Sequence, residues 1–252
     1  MNLSATLKLY LAAARQATRA LRKNLLLLPL SAGAVAIFWF AMSMLGGTGM
    51  AGGLVLGILQ VVLLTYYFSC LEEASGGGKI AIDDLREFNQ PMFSAVINAG
   101  FLIWMATFLF QLLAQGSPTL AWVYMCLNLG IVIGLNALPE IVYFNKSDGM
   151  SSISEAWSFT RQYWIEWFIP LVALMIPIGL VGGIQGVVAL LARSDALLPP
   201  FVIVRSALVL GREVPLVFAL LGALIAGNWY MLFRGALYQE LSSKGGRLLR
   251  RR

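Results

Sequence analysis

Apolar residues in this chain do not alternate with polar ones at the period of a strand. They continue for about 20 positions at a time, the length an α-helix needs to cross the hydrocarbon layer of a bilayer. Six such runs occupy roughly 25–45, 50–71, 93–115, 120–143, 165–192 and 214–236. The pattern predicts an all-α, polytopic membrane bundle of six transmembrane helices. The connections 46–49 and 116–119 are short and carry no charge, whereas 72–92 and 144–164 are longer and charged.

Ahead of the first run, residues 1–24 have a different period. Lys8, Arg15, Arg19 and Arg22 recur at helical spacing on one face, while Leu3, Leu7, Tyr10, Leu11, Ala14 and Leu21 fall largely on the other. This reads as an amphipathic interfacial helix. Its basic face is expected to meet the anionic inner leaflet and its apolar face to lie in it. A second such helix is expected at 152–164. There Ser152 and Glu155 have the spacing of a capping box, and Ile153, Trp157, Thr160 and Trp164 form an aromatic-rich face suited to the headgroup level. The division that follows is an interfacial helix at 1–24, a six-helix domain at 25–236 and a basic tail at 237–252.

Charge orients the bundle. Fifteen of the 18 Lys and Arg residues fall on the side of the N-terminus, and Arg193, Arg205 and Arg212 fall on the other. The positive-inside rule then places both termini in the cytoplasm. The net charge of +6 is accounted for by basic residues flanking apolar runs, so a nucleic-acid partner is not expected. The 252 residues contain no His and two Cys, which leaves a zinc, haem or iron–sulfur site almost without ligands. Cys70 and Cys126 are expected at different depths and unpaired.

The layout has a threefold rhythm of interfacial segment followed by helical hairpin, over 1–71, 72–143 and 144–236. The second and fourth runs both end in Tyr-Phe (Tyr67-Phe68, Tyr143-Phe144), each followed by a glycine-containing polar segment. Within the runs, small residues recur every four positions: Gly53 with Gly57, Gly130 with Gly134, Gly179 with Gly183, Gly182 with Gly186, and Gly222 with Ala226. Such stripes let helices approach closely in lipid, and packing within the chain is the expected use.

Polar residues inside the runs are the candidates for function. Asn98, Asn136, Gln185 and Asn228 are candidates for a shared polar core. Glu140, after Pro139, and Arg234 fall at similar depth, and an intramembrane pair between them would lower the cost of both charges. No nucleotide loop and no H-E-x-x-H motif is present. The carboxylates Glu72, Glu73, Asp83, Asp84 and Glu87 of segment 72–92 read as a solvated charged face, with a metal-dependent headgroup site as the lesser alternative. The outer segment 193–213, with Pro199-Pro200 and the run Phe201-Val202-Ile203-Val204, reads as an interfacial or re-entrant element.

Three features together resemble uncharacterised six-helix bacterial inner-membrane families. They are the basic helix running into Arg22-Lys23-Asn24-Leu25, the Gly-rich segment after Tyr67-Phe68, and Pro139-Glu140 through Trp164. In outline these families are similar to the membrane domain fused to some glycerophosphodiester phosphodiesterases. The resemblance implies a helical membrane domain and carries no catalytic residue, cofactor or metal with it. The expectation is a non-enzymatic scaffold, accessory subunit or assembly factor of a membrane complex, with anionic lipid and a protein partner. A small transporter or lipid-handling protein is the alternative.

Overall fold

The computed structural model describes residues 3–114, 118–147, 149–191 and 216–249, and these are helix and turn without a strand. The helices are α1 (Leu3–Lys23), α2 (Leu27–Leu45), α3 (Gly49–Ser75), α4 (Gln90–Ala114), α5 (Pro118–Gly134), α6 (Leu138–Asn145), α7 (Gly149–Leu191) and α8 (Leu216–Leu249), with a single 3-10 turn at Asp83–Leu85.

Local sequence sets each break. Asn24 ends α1, and its carbonyl accepts from Leu27 N–H at 3.0 Å, so α2 begins at once. Gly49, with φ +68°, supplies the left-handed residue between α2 and α3. Asn89 Oδ1 accepts from Met92 N–H at 3.1 Å and caps α4, with Pro91 in the first turn, where its missing N–H has no partner to lose. Residues 135–137 separate α5 from α6, with Pro139 in the first turn of α6 and the two axes 44° apart.

Among the described residues four helices are long and apolar enough to cross a membrane: Leu27–Leu45, Ala51–Ser75, Gln90–Leu109 and Leu220–Ser243. The bent pair Trp122–Gly134 with Leu138–Asn145 makes a fifth if it counts as one span. The expected fifth run, 165–192, lies within α7 almost to its end, and many of its side chains fall outside the described residues.

Three expectations are corrected. Segment 152–164 is not a separate interfacial helix: α7 runs unbroken over 43 residues, about 65 Å at 1.5 Å per residue. Its Ser152 is buried and donates to Ser147 O at 3.0 Å, while Glu155 engages Asn145, so the two do not form a capping box. The buried stripe of α1 is Leu9, Ala13, Ala17 and Leu21, whereas Leu7 and Leu11 are exposed. That stripe does not lie in lipid, because α1 packs against α8 in the most extensive helix pair of the fold. The two alanines, with no exposed surface at all, allow a close approach. The bonds Trp229 Nε1–H to Thr18 Oγ1 (3.0 Å) and Tyr10 Oη–H to the Glu166 carbonyl (2.9 Å) fasten α1 to α8 and α7. Burial, helped by the Glu166 charge, pushes the Tyr10 phenol up to about 12.

The glycine stripes are the third correction. A methyl added at Gly53, Gly57, Gly130 or Gly222 would meet nothing within 4 Å, so these faces are unused within the described chain. Gly134 is different: an added Cβ would collide with the Trp157 ring, so this glycine seats the indole beside the α5–α6 bend. Gly179, Gly182, Gly183 and Gly186 lie outside the residues whose side chains are described, as does the segment 193–213.

The core is concentrated at one end. It takes Leu64 to Ala74 from the C-terminal part of α3, Met92 to Ala99 from the start of α4, and Leu135 to Tyr143 from the bend and α6. It also takes Ala156, Phe159 and Trp167 from α7, Met231 to Leu241 from α8, and the inner face of α1. Helices that alternate in direction bring all these parts to the same end. We call it the closed end.

Candidate functional site

The polar residues of the closed end centre on one ion pair. Glu140 sits in the first turn of α6, just past the bend, and is completely buried. Arg234 comes from α8, and its Nη2 lies 2.7 Å from Glu140 Oε2. The same nitrogen donates to the backbone carbonyl of Asn136, a group left without a helical partner by the α5–α6 break. The guanidinium lies 5.0 Å from the Trp167 ring centroid and 5.9 Å from that of Tyr230. Trp167 Nε1–H in turn donates to Asn136 Oδ1 at 3.0 Å. α6, α7, α8 and the bend are therefore tied through one charge pair. Two opposite charges removed from water attract strongly in low dielectric, and each would be costly alone.

A second knot joins α2, α3 and α8. Asn228 Nδ2 donates to Ser31 Oγ and to the Leu224 carbonyl, both at 2.8 Å, and its Oδ1 accepts from Tyr67 Oη at 3.1 Å. Tyr67 also lies within electrostatic reach of Glu140, which makes the two knots neighbours. Aromatic rings wrap this region in an arc: Phe68 to Tyr143 at 5.9 Å, Tyr143 to Phe144 at 4.5 Å, Phe144 to Tyr238 at 5.7 Å, Tyr238 to Phe159 at 4.9 Å, and Phe159 to Trp167 at 5.2 Å.

At the rim, Asn24 holds the glycine-rich segment. It donates to the carbonyls of Ala20 (3.1 Å) and Gly78 (3.2 Å) and accepts from Ile80 N–H at 2.8 Å. Lys23 reaches the Gly77 carbonyl beside it. Lys146, left-handed at φ +48°, pairs with Glu72 at 2.8 Å, and Asn145, Glu155 and Tyr238 share a hydrogen-bonded cluster.

The structure thus brings Glu140 and Arg234 together. It does not assemble the four amides expected to share a core. Asn136 and Asn228 belong to the two separate knots. Asn98 is exposed on α4, where it donates to Ser94 Oγ at 3.4 Å, and the Gln185 side chain lies outside the described residues. The reason is helical phase: Asn98 is one residue from the buried Ala99 and does not share its face. Lys8, Arg15, Arg19 and Arg22 remain exposed along α1, opposite the stripe that packs on α8. The carboxylates of 72–92 are dispersed. Glu72 pairs with Lys146, Asp83 pairs with Arg86 at 3.2 Å, and the Asp84 side chain lies outside the described residues. Among the described residues no group of three or more His, Cys, Asp or Glu could hold a metal ion.

Sequence reasoning did not assign roles to Asn24, Tyr67, Trp167 and the aromatic arc. The paired Tyr-Phe motifs at 67–68 and 143–144 were the available signal, since both contribute rings to it. In comparisons with known proteins, no family model, curated protein or solved structure matches this chain.

Proposed function

We propose that this protein is a non-enzymatic membrane scaffold, an accessory subunit or assembly factor whose closed end fixes the fold and whose opposite end engages other molecules of the membrane. The observation that carries this reading is the contrast in packing between the apolar helices, and the exposure of large apolar side chains away from the core. Only 17% of the Leu27–Leu45 window and 22% of the Gln90–Leu109 window are buried, against 50% for Leu220–Ser243. Trp39, Phe40, Leu54, Trp104, Trp122 and Phe218 stand exposed away from the core. Apolar surface on this scale is suited to lipid and to a partner's helices.

In the full proposal the chain crosses a bacterial inner membrane six times with both termini cytoplasmic. The closed end, with the basic face of α1, then lies at the anionic inner leaflet. In this reading the units 1–71, 72–143 and 144–236 are a pseudo-threefold set. A transport role is supported less well, because Asn136 and Asn228 are tied into a packed core and do not line a shared path.

Native mass spectrometry of the tagged protein, released from its own membrane in lipid nanodiscs, tests the proposal. A stoichiometric protein partner is expected. A lone chain or homo-oligomer that retains one lipid or small molecule would overturn the proposal in favour of lipid handling or transport.

A further inference from the structure

α1 carries five basic residues and no carboxylate. None of the ion pairs among the described residues includes one of them. Lys8, Arg15, Arg19 and Arg22 are exposed on the face opposite the stripe that packs on α8. Arg15 and Arg19 are four positions apart, and Arg19 and Arg22 three. At those spacings like charges repel across a helix surface, so the face calls for a counter-charge.

Contacts with α8 fix how α1 is rolled. Thr18 Oγ1 accepts from Trp229 Nε1–H at 3.0 Å, and Gln16 Nε2 lies 3.5 Å from Gln239 Oε1. Thr18 and Gln16 are two positions apart and so about 200° apart around α1. α8 therefore passes under α1 with Trp229 on one side and Gln239 on the other. Trp229 belongs to the apolar run of α8, and Gln239 to the polar stretch beyond it. The Thr18 side of α1 thus faces the apolar zone, and the Gln16 side faces away from it. Leu7 and Leu11 are exposed and share the Thr18 side, and the four cations lie between the two sides.

We propose that this outward arc of α1 is a binding surface for anionic phospholipid headgroups, with Leu7 and Leu11 at the edge of the acyl region and Lys8, Arg15, Arg19 and Arg22 at the phosphates. The inference rests on the membrane placement proposed above and does not require a protein partner. Three of the four cations are Arg, whose forked donors match a phosphate. The two leucines beside them gain apolar cover from lipid, which the charged surface of an acidic soluble protein does not provide. Because the buried stripe of α1 is spent on α8, the helix meets the headgroups without sinking among the chains. Its hold is therefore largely electrostatic and weakens with salt.

Native mass spectrometry of the full chain, released from nanodiscs of equal phosphatidylglycerol and phosphatidylcholine, counts the lipids that stay bound. Phosphatidylglycerol is expected to outnumber phosphatidylcholine several-fold. Lys8→Gln, Arg15→Gln, Arg19→Gln and Arg22→Gln together are expected to remove most of that excess, and the four Arg or Lys exchanges that keep the charge are expected to preserve it. An unchanged excess in the Gln variant would overturn the surface alone. A chain that does not enter nanodiscs would overturn the membrane placement and the surface with it. If the fourfold Gln variant loses the parent's melting transition, Arg15→Gln with Arg19→Gln carries the same comparison. In the native membrane, a photoreactive residue at Leu11 is expected to mark lipid, and one at Gln16 is not. An acidic protein marked from Leu11 in place of lipid would overturn the proposal.

Discussion

The two ends of the same helices are built by different rules. At the closed end, α3, α6, α7 and α8 surround a buried charge pair, every helix contributes side chains with almost no exposed surface, and α1 seals the outside. At the other end, α2 buries only Leu27, Ser31 and Val35, all in its first half, and Gly53, Gly57 and Gly130 face nothing within 4 Å among the described residues. What differs is polarity: among the described residues the closed end contains nearly all the buried polar groups. In lipid the hydrophobic effect does not drive helices together, so hydrogen bonds and shape must do it. Helices associate here where Glu140, Arg234, Asn136, Asn228 and Tyr67 give them directional partners.

The contrast breaks most sharply at the charge pair. Arg234→Gln or Glu140→Gln strands the partner in the core and is expected to cost about 3–5 kcal/mol. Thermal melts in nanodiscs would read this, and single variants that both melt like the parent would contradict it. Met231→Ala, at a position with no exposed surface, is expected to cost about 2–5 kcal/mol, while Leu54→Ala at the other end stays within about 0.5 kcal/mol. Equal shifts in the two melts would erase the distinction between the ends. Asn24→Ala removes the two hydrogen bonds that hold the glycine-rich segment, with a third back to the Ala20 carbonyl, and is expected to cost about 1–3 kcal/mol. Faster limited proteolysis at Gly76–Gly78 is its signature. The smallest effect concerns glycines. Gly57→Ala, facing open space, is expected to stabilise by roughly 0.5–1 kcal/mol through helix propensity. Gly134→Ala displaces Trp157 and is expected to destabilise, so opposite signs are the result to look for.

The all-helical, apolar character was legible because apolar run length is a strong, local signal; of the six expected spans, four among the described residues, or five with the bent pair, are long and apolar enough to cross a membrane. Glu140 and Arg234 could be matched because counting residues along two spans fixes depth. Counting does not fix phase, which is why Asn98 was grouped with Asn136 and Asn228 although its neighbour Ala99 takes the buried position. The apolar face of α1 was legible only in part: of the residues assigned to it Leu21 is buried, but Leu7 and Leu11 are exposed and Leu9, Ala13 and Ala17 take the buried stripe. Its phase is set by α8, which arrives more than 200 residues later in the chain. The continuous α7 was missed because Ser152 and Glu155 imitate a helix start, while their bonds to Ser147 and Asn145 depend on how α6 ends.

The most direct test of the difference between the ends is photo-crosslinking in the native membrane, with a photoreactive residue placed in turn at Trp104, Trp122 and Phe218. Adducts to lipid or to a separate protein are the expected result at all three positions. Crosslinks within the chain, to α7, α8 or the segment 193–213, would mean that the apolar end closes on itself, and would contradict the account.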